Sequence, residues 1–277
     1  MEIVLERPNL CKCCYHKSDT SPYFLGKLDF NKSCADRYGS RIFPFSEYMI
    51  SYYKCQNCGF IFTNAFDKWS DDNFKKYIYN DDYILIDGPI PGSNDEKVAN
   101  GLLSVEHDSR YVESLNLQMK LHNQNNLSIL DYGSGNPNSP YKLAFERNGY
   151  KYTDYDPFRN DTNLNKTSLF DFIICNEVIE HSVNLDKVAA DFNQLLHPQG
   201  LIALGTVLLP KEYNSIENWY ISPRNGHISI HTHFSLYCLL GRHGLNVCDT
   251  VWGFVCFKAL PKFKNLYFTN SFLTSAI

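Results

Sequence analysis

The chain has 277 residues, 44% of them hydrophobic and 15% aromatic, enough for one large domain with an appendage or for two modest ones. Its 26 basic and 30 acidic residues leave a net charge of −4, which excludes a whole-protein field drawing it to nucleic acid or to an anionic membrane. The opening MEIVLERPNL lacks the basic start and apolar core of a secretion signal, and no uncharged apolar run reaches the roughly 18 residues that span a bilayer, so a cytoplasmic protein is expected.

Residues 1–65 carry six of the ten cysteines, many aromatics and little helical periodicity, and read as a small β-rich module. Without an export signal the cysteines argue against a disulfide framework. Cys11-Lys12-Cys13-Cys14 and Cys55-Gln56-Asn57-Cys58-Gly59 form two Cys-x-x-Cys pairs about 40 residues apart. Each pair can aim two thiolates at one ion from a tight turn, and two pairs complete a tetrahedral site. Zinc is therefore expected on Cys11, Cys14, Cys55 and Cys58, with Cys13 competing for the place of Cys14 and His16 or Cys34 able to substitute. Four thiolates leave no open position, so the ion's role is structural. Cys175, Cys238, Cys248 and Cys256 sit among apolar neighbours and read as small core residues.

Residues 66–126 read as a helical linker or lid. Trp69-Ser70-Asp71-Asp72 offers a capped helix start. Beyond the break Gly88-Pro89-Ile90-Pro91-Gly92, apolar residues from Val98 to Met119 recur at helical spacing. From Leu127 on, strand and helix patterns alternate as in a parallel α/β sheet, so residues 127–277 are expected to form a Rossmann-like domain with helices on both faces. The expected strands are Ser128–Tyr132, Tyr150–Asp154, Phe170–Cys175, Leu201–Val207, Asn246–Thr250 and Phe254–Ala259. The expected helices are Tyr141–Asn148, Leu185–Leu196 and Ser235–Arg242, and His197-Pro198-Gln199-Gly200 reads as a turn that stops a helix. In Ile129-Leu130-Asp131-Tyr132-Gly133-Ser134-Gly135, an apolar run ends in an acid and two glycines, which suits a nucleotide-type ligand at a strand's end.

Four pieces of the chain, in order, resemble the class I S-adenosylmethionine-dependent methyltransferases. They are the acid-x-Gly-x-Gly loop Asp131–Gly135, the acidic strand end Asp154-Tyr155-Asp156-Pro157, the strand and turn Phe170–His181, and the turn Leu195–Gly200. The resemblance implies S-adenosylmethionine as cofactor. It places Asp156 on the ribose hydroxyls, Asp131, Gly133 and Gly135 at the cofactor's amino-acid end, and Asn176 and Glu177 on its reactive side. Pro137 stands where the family usually has a third glycine and is read as the start of the helix. Only 15 positions separate Asp156 from Asp171, so the usual third βα unit is shortened or replaced by a loop, which leaves the adenine contacts unassigned, Asn163 and Leu164 being the candidates to line that side. With its zinc module the chain also resembles bacterial sugar methyltransferases and related enzymes of glycan and natural-product gene clusters.

Methyl transfer needs an aligned nucleophile and, for many acceptors, a base. The stretch Trp219–His227 follows the fifth strand, the region that covers the acceptor site in this fold. His227 is the candidate base, Tyr220 a positioning group and His181 the second choice; the alternative for His227 is a turn or core residue. Glu177 and Glu180 taken alone read as a solvated helix face. His231 and His233 read as polar positions before a helix. The resulting expectation is methyl transfer to a small-molecule or sugar-type acceptor, with no membrane partner. The rival readings are a dinucleotide-dependent oxidoreductase, a non-catalytic zinc-bearing binding protein, and an RNA methyltransferase, against which the acidic balance weighs.

Overall fold

A computed structural model describes residues 1–19, 21–34, 41–87, 127–135, 142, 145, 146, 149–159, 164–213, 215–217, 220–250 and 253–258. They divide into two compact units. The described residues of Met1–Pro91, Glu177–Ala189 and Thr206–Leu239 form the first, and those of Gly92–Asn176, Ala190–Gly205 and Leu240–Ile277 the second. No helix among the described residues is long and apolar enough to cross a membrane.

The first unit is built on a four-stranded sheet, β1 (Tyr23–Asp29), β2 (Met49–Lys54), β3 (Ile61–Phe62) and β8 (Ser229–Ile230), in that order and antiparallel throughout. Ile50, Tyr52, Phe60 and Phe62 bury completely against it, and Phe60 stacks on Phe62 at 5.2 Å. Trp69 meets Phe66 at 4.7 Å and Phe74 at 5.1 Å, and its indole N–H donates to the Glu2 carbonyl at 2.6 Å. This aromatic cluster seats α1 (Asp71–Tyr77), whose Ser70 hydroxyl caps the amide of Asn73. Asp71 and Asp72 in the first turn and Lys75 and Lys76 in the last complement the helix dipole. A short helix, α2 (Tyr83–Asp87), follows.

The second unit holds a six-stranded sheet in the order β5 (Lys151–Tyr155), β4 (Ser128–Tyr132), β6 (Phe170–Asn176), β7 (Leu196–Gly205), β10 (Gly253–Phe257) and β9 (Asn246–Thr250). β5, β4, β6 and β7 run parallel, while β10 is antiparallel to both its neighbours. Phe172–Cys175 and Leu201–Leu204 are buried without alternation, as strands covered on both faces must be. One face packs Ile129, Phe172, Ile174, Ala203 and Val255 with Phe145. On the other, Tyr132 meets Phe192 of α3 (Leu185–Leu195) at 5.2 Å and donates to Asp191 at 3.0 Å. Lys166 completes the buried Asp191 at 2.9 Å. α4 (His233–Arg242) leads to β9.

Every expected strand forms, with ends shifted by a few residues. Among the described residues β5 is the edge of the sheet, and no strand stands between it and β6 in the chain, as the short link after Asp156 requires. Of the expected helix Tyr141–Asn148 the described residues 142, 145 and 146 are helical; the pattern Val98–Met119, Pro137 and Asn163 lie outside the described residues. Two readings need correction. His197–Gly200 is not a free turn but a bulge within β7: Leu196 pairs with Phe170 and Leu201 with Phe172, so the extra residues loop out between two paired points. His233 is an exposed position as expected, although the helix α4 begins at it, whereas His231 is completely buried, because β8 carries the chain through the first sheet directly before that helix.

Gly200 closes the bulge where no side chain fits. A Cβ there would lie 2.9 Å from the Asp171 carbonyl and 3.0 Å from that of Phe170, and backbone cannot swing aside. Gly200→Ala is expected to lower stability by about 1–3 kcal/mol, read from chemical denaturation. A change under about 0.5 kcal/mol shows that the bulge relaxes freely.

Candidate active site and cysteine centre

The glycine turn lies at the carboxyl ends of β4 and β5, where α/β sheets open a ligand crevice. Gly133 and Gly135 adopt φ +82° and +60°, the left-handed region that a side chain disfavours. The Gly133 and Ser134 amides donate to the Tyr155 carbonyl at 2.7 and 3.1 Å, tying the turn to β5. Asp156 accepts from the Gly135 amide at 3.0 Å and the Phe158 amide at 2.7 Å, so its carboxylate is held at the turn. Among the described residues, a Cβ on Gly135 would meet nothing within 4 Å. Arg159 braces the same corner, donating to Asp154 at 2.7 Å and to the Ser134 hydroxyl at 3.2 Å. The turn and Asp156 thus stand together where α/β sheets bind ligands.

At the ends of β6 and β7, Asn176 is exposed and its amide oxygen crosses the backbone of Gly205, where a Cβ would lie 2.0 Å away. Gly205 thus allows Asn176 its position, a role no sequence pattern marks. Asp131 is buried and accepts the hydroxyl of Tyr152. Leu164 is buried.

In the first unit the sulfurs of Cys11, Cys14, Cys55 and Cys58 all lie within 4.8 Å of one another. The Cys11–Cys58 and Cys14–Cys55 separations are both 3.6 Å. A tetrahedron with bonds of about 2.3 Å has sulfur edges of about 3.8 Å, so the set has the size of a zinc site. Both pairs use the same knuckle. The Tyr15 amide donates to the Cys11 carbonyl at 3.1 Å and the Gly59 amide to the Cys55 carbonyl at 2.9 Å. Gly59 sits at φ +73° and Tyr15 at φ +56°, so Tyr15 takes the left-handed place that glycine fills in the second pair. Thiol contacts divide the protons unevenly: Cys55 pushes Cys11 up to about 12, while Cys11 drives Cys55 down and Cys58 up. Of the possible substitutes, Cys13 turns to His231, its sulfur 3.8 Å from Nδ1, and neither His16 nor Cys34 joins the sulfur set.

A second cluster of the first unit gathers around the turn after Asn176. Tyr220 is buried, and its hydroxyl lies between Glu177, 2.7 Å away, and Glu180. Thr206 donates to the other Glu180 oxygen at 3.0 Å. Glu180 is completely buried, and burial together with the Glu177 charge pushes its carboxyl up to about 8. The alternative of a solvated helix face does not hold for Glu180: the turn is a 3-10 segment, Ile179–His181, that aims Glu180 inward while leaving Glu177 exposed at φ +52°. His181 Nδ1 lies 3.1 Å from the Tyr79 hydroxyl; burial and then His227 hold its imidazole well below the usual histidine range. His227 stacks on Tyr220 at 4.6 Å and meets His181 at 4.6 Å edge-on. Its Nδ1–H donates to the Tyr220 carbonyl at 3.0 Å, which leaves Nε2 as the basic nitrogen.

Residues 105–250, more than half of the chain, match the family described as "Methyltransferase domain". The chain belongs to that family. No curated protein matches it in sequence. Among solved structures, Burkholderia thailandensis 1,6-didemethyltoxoflavin-N1-methyltransferase, with 1,6-didemethyltoxoflavin and S-adenosylhomocysteine bound, is 14% identical, with 62% of this chain and 91% of that chain covered at a TM-score of 0.37. The citrinin polyketide synthase CMeT domain is 15% identical, covering 65% of this chain and 60% of that one at 0.40. CalO1, a methyltransferase in calicheamicin biosynthesis solved with S-adenosylhomocysteine, is 11% identical, covering 70% of each at 0.38.

In this methyltransferase, then, the expected site residues fall into three sets. Gly133, Gly135 and Asp156 meet at one turn of the second unit, with Asp131 buried beneath and Asn176 at the end of β6. Tyr220, His227, His181 and Glu177 meet in the first unit. The four cysteine sulfurs form the third set. Sequence reasoning missed Glu180, Thr206 and Tyr79 in the second. The Glu-x-x-Glu-His run directly after a buried strand is a usable signal for Glu180; Tyr79, about 100 positions earlier, carries none.

Proposed function

We propose that the methyltransferase takes S-adenosylmethionine at the glycine turn and transfers its methyl group to a small-molecule or glycan-precursor acceptor. The observation that carries this reading is the Gly133–Gly135 turn at the strand ends with the Asp156 carboxylate held against it. Gly133, Gly135 and Asp131 belong to the amino-acid end of the cofactor, Asp156 to the ribose, and Asn176 and Glu177 to the side where the acceptor enters. When bound, S-adenosylmethionine supplies a methyl group on a sulfonium sulfur, which a nucleophile can displace. His227, its tautomer set by the Tyr220 carbonyl, is the base that removes the acceptor's proton, with Tyr220 positioning it and His181 the second candidate. Zinc on Cys11, Cys14, Cys55 and Cys58 is structural, holding the first unit together.

Thermal shift tests the cofactor without knowledge of the acceptor. S-adenosylhomocysteine at a hundred times its Kd is expected to raise the melting temperature by roughly 5–10 °C, and NAD to leave it unchanged. Asp156→Ala removes most of that shift. No shift with either S-adenosylmethionine or S-adenosylhomocysteine overturns the reading.

A further inference from the structure

The Tyr220 hydroxyl makes two contacts that a single proton cannot serve. It lies within hydrogen-bonding distance of Glu177 Oε2, at 2.7 Å, and also of Glu180 Oε1. A phenol has one O–H to give, and an ionised carboxylate can only accept. If both glutamates were charged, one contact would set oxygen lone pairs against each other in a buried place, which is costly. The count closes only when one carboxyl carries a proton and donates it to the phenol oxygen. Burial decides which. Glu180 is completely buried and Glu177 is exposed, so the charged form is retained by Glu177.

We propose that Glu180 is a neutral carboxylic acid in the folded protein and acts as a positioning residue: its Oε1–H donates to Tyr220 Oη, and the Tyr220 O–H is thereby turned toward Glu177. Thr206 donates to the remaining Glu180 oxygen at 3.0 Å, as a carbonyl oxygen requires. The titratable groups facing the Glu180 carboxyl are Glu177, whose charge favours the neutral form, and Tyr220, whose hydrogen bond favours the charged one; burial, the largest influence, decides for the neutral acid. His227 stacks on the Tyr220 ring, so the same arrangement orders the residue proposed as base. It also accounts for the left-handed backbone of Glu177, a strained conformation for a side-chain-bearing residue that the Tyr220 bond helps to hold. The cluster then presents one negative charge, at Glu177, directly after β6. This consequence for the acceptor rests on the function proposed above; the protonation itself does not.

Glu180→Gln is the decisive variant, because a primary amide reproduces the neutral acid, with N–H toward Tyr220 and C=O toward Thr206. A carboxyl raised in the folded state from its ordinary 4.5 to about 8 supplies stability that is whole below the lower value and is lost as pH rises through the upper one. The glutamine does not titrate. Glu180→Gln is therefore expected to fold, and its melting temperature is expected to gain on wild type steadily from pH 5.5 to 8.5, ending several degrees above it. Carbon-13 NMR of glutamate-labelled wild type is expected to show one carboxyl titrating near pH 8, and that resonance to be missing from the variant. Failure of Glu180→Gln to fold, a pH-independent offset from wild type, or no carboxyl titrating above about pH 6.5 overturns the proposal. Neither measurement uses cofactor or acceptor, so this result and that of the thermal shift are separately readable.

Discussion

Purified protein is expected to hold about one equivalent of zinc, and chelation is expected to unfold the first unit. The four sulfurs already lie within 4.8 Å of one another, so little rearrangement is needed to bind the ion. Left without it, four thiols share a largely buried space where water cannot serve them, and their contacts split the protons so that Cys55 is driven down and Cys58 up. Structural zinc contributes about 10–16 kcal/mol in small finger peptides, and loss of even about 5 kcal/mol lowers the melting temperature of a chain of roughly this size by about 10–20 °C. Cys14→Ala and Cys55→Ala should each reproduce chelation, while Cys13→Ala and Cys34→Ala keep the ion. Metal content by mass spectrometry checks the set. Protein that melts cooperatively with under about half an equivalent of metal contradicts it.

Gly226→Ala is expected to cost about 2–4 kcal/mol and to disorder the His181–Tyr79 contact. Gly226 ends the Pro223–Asn225 3-10 turn at φ +83°, where a Cβ costs about 1–2 kcal/mol. The added carbon would also stand 2.8 Å from both His181 Nδ1 and the Tyr79 hydroxyl. Neither ring can swing away cheaply, since His181 also packs on His227 and Tyr79 on Phe74. Combining Gly226→Ala with Tyr79→Phe separates the two causes. The double variant removes the clash with the Tyr79 hydroxyl but leaves that with His181 and the backbone cost, so the alanine should cost about 1 kcal/mol less there than in wild type. Strict additivity assigns the cost to φ and the His181 contact, and a loss under about 0.5 kcal/mol shows that the turn relaxes.

Signals carried over a few residues are legible in the sequence itself. The apolar run into Asp131, the two glycines, and the buried runs Phe170–Cys175 and Leu201–Leu204 each state their strand locally, and the sheet follows from their alternation with helices. The Cys-x-x-Cys spacing names the sulfurs that gather. Tyr15 is illegible as the partner of Gly59, because a tyrosine in the left-handed region is disfavoured on its own and is held there by the knuckle. The burial of Glu180 is illegible because two acids three positions apart look the same whether the segment is a surface helix or a 3-10 turn folded inward.

What the sequence determined by itself is the chemistry available: a glycine turn beside Asp156, two cysteine pairs, two acids and a histidine within residues 177–181, and Tyr220 and His227. Those depend on residue type and short spacing, which water and backbone sterics translate directly into local structure. Tertiary structure alone decided which members meet and in what protonation state. β8, two residues long, carries no period to read, yet its pairing of Ile230 with Ile61 joins 229–230 to the amino-terminal sheet. Glu180 differs from Glu177 only by what covers it, and covering is a property of the whole unit: it removes water from one carboxyl, leaves the other wet, and so makes a neutral acid and an anion from the same side chain.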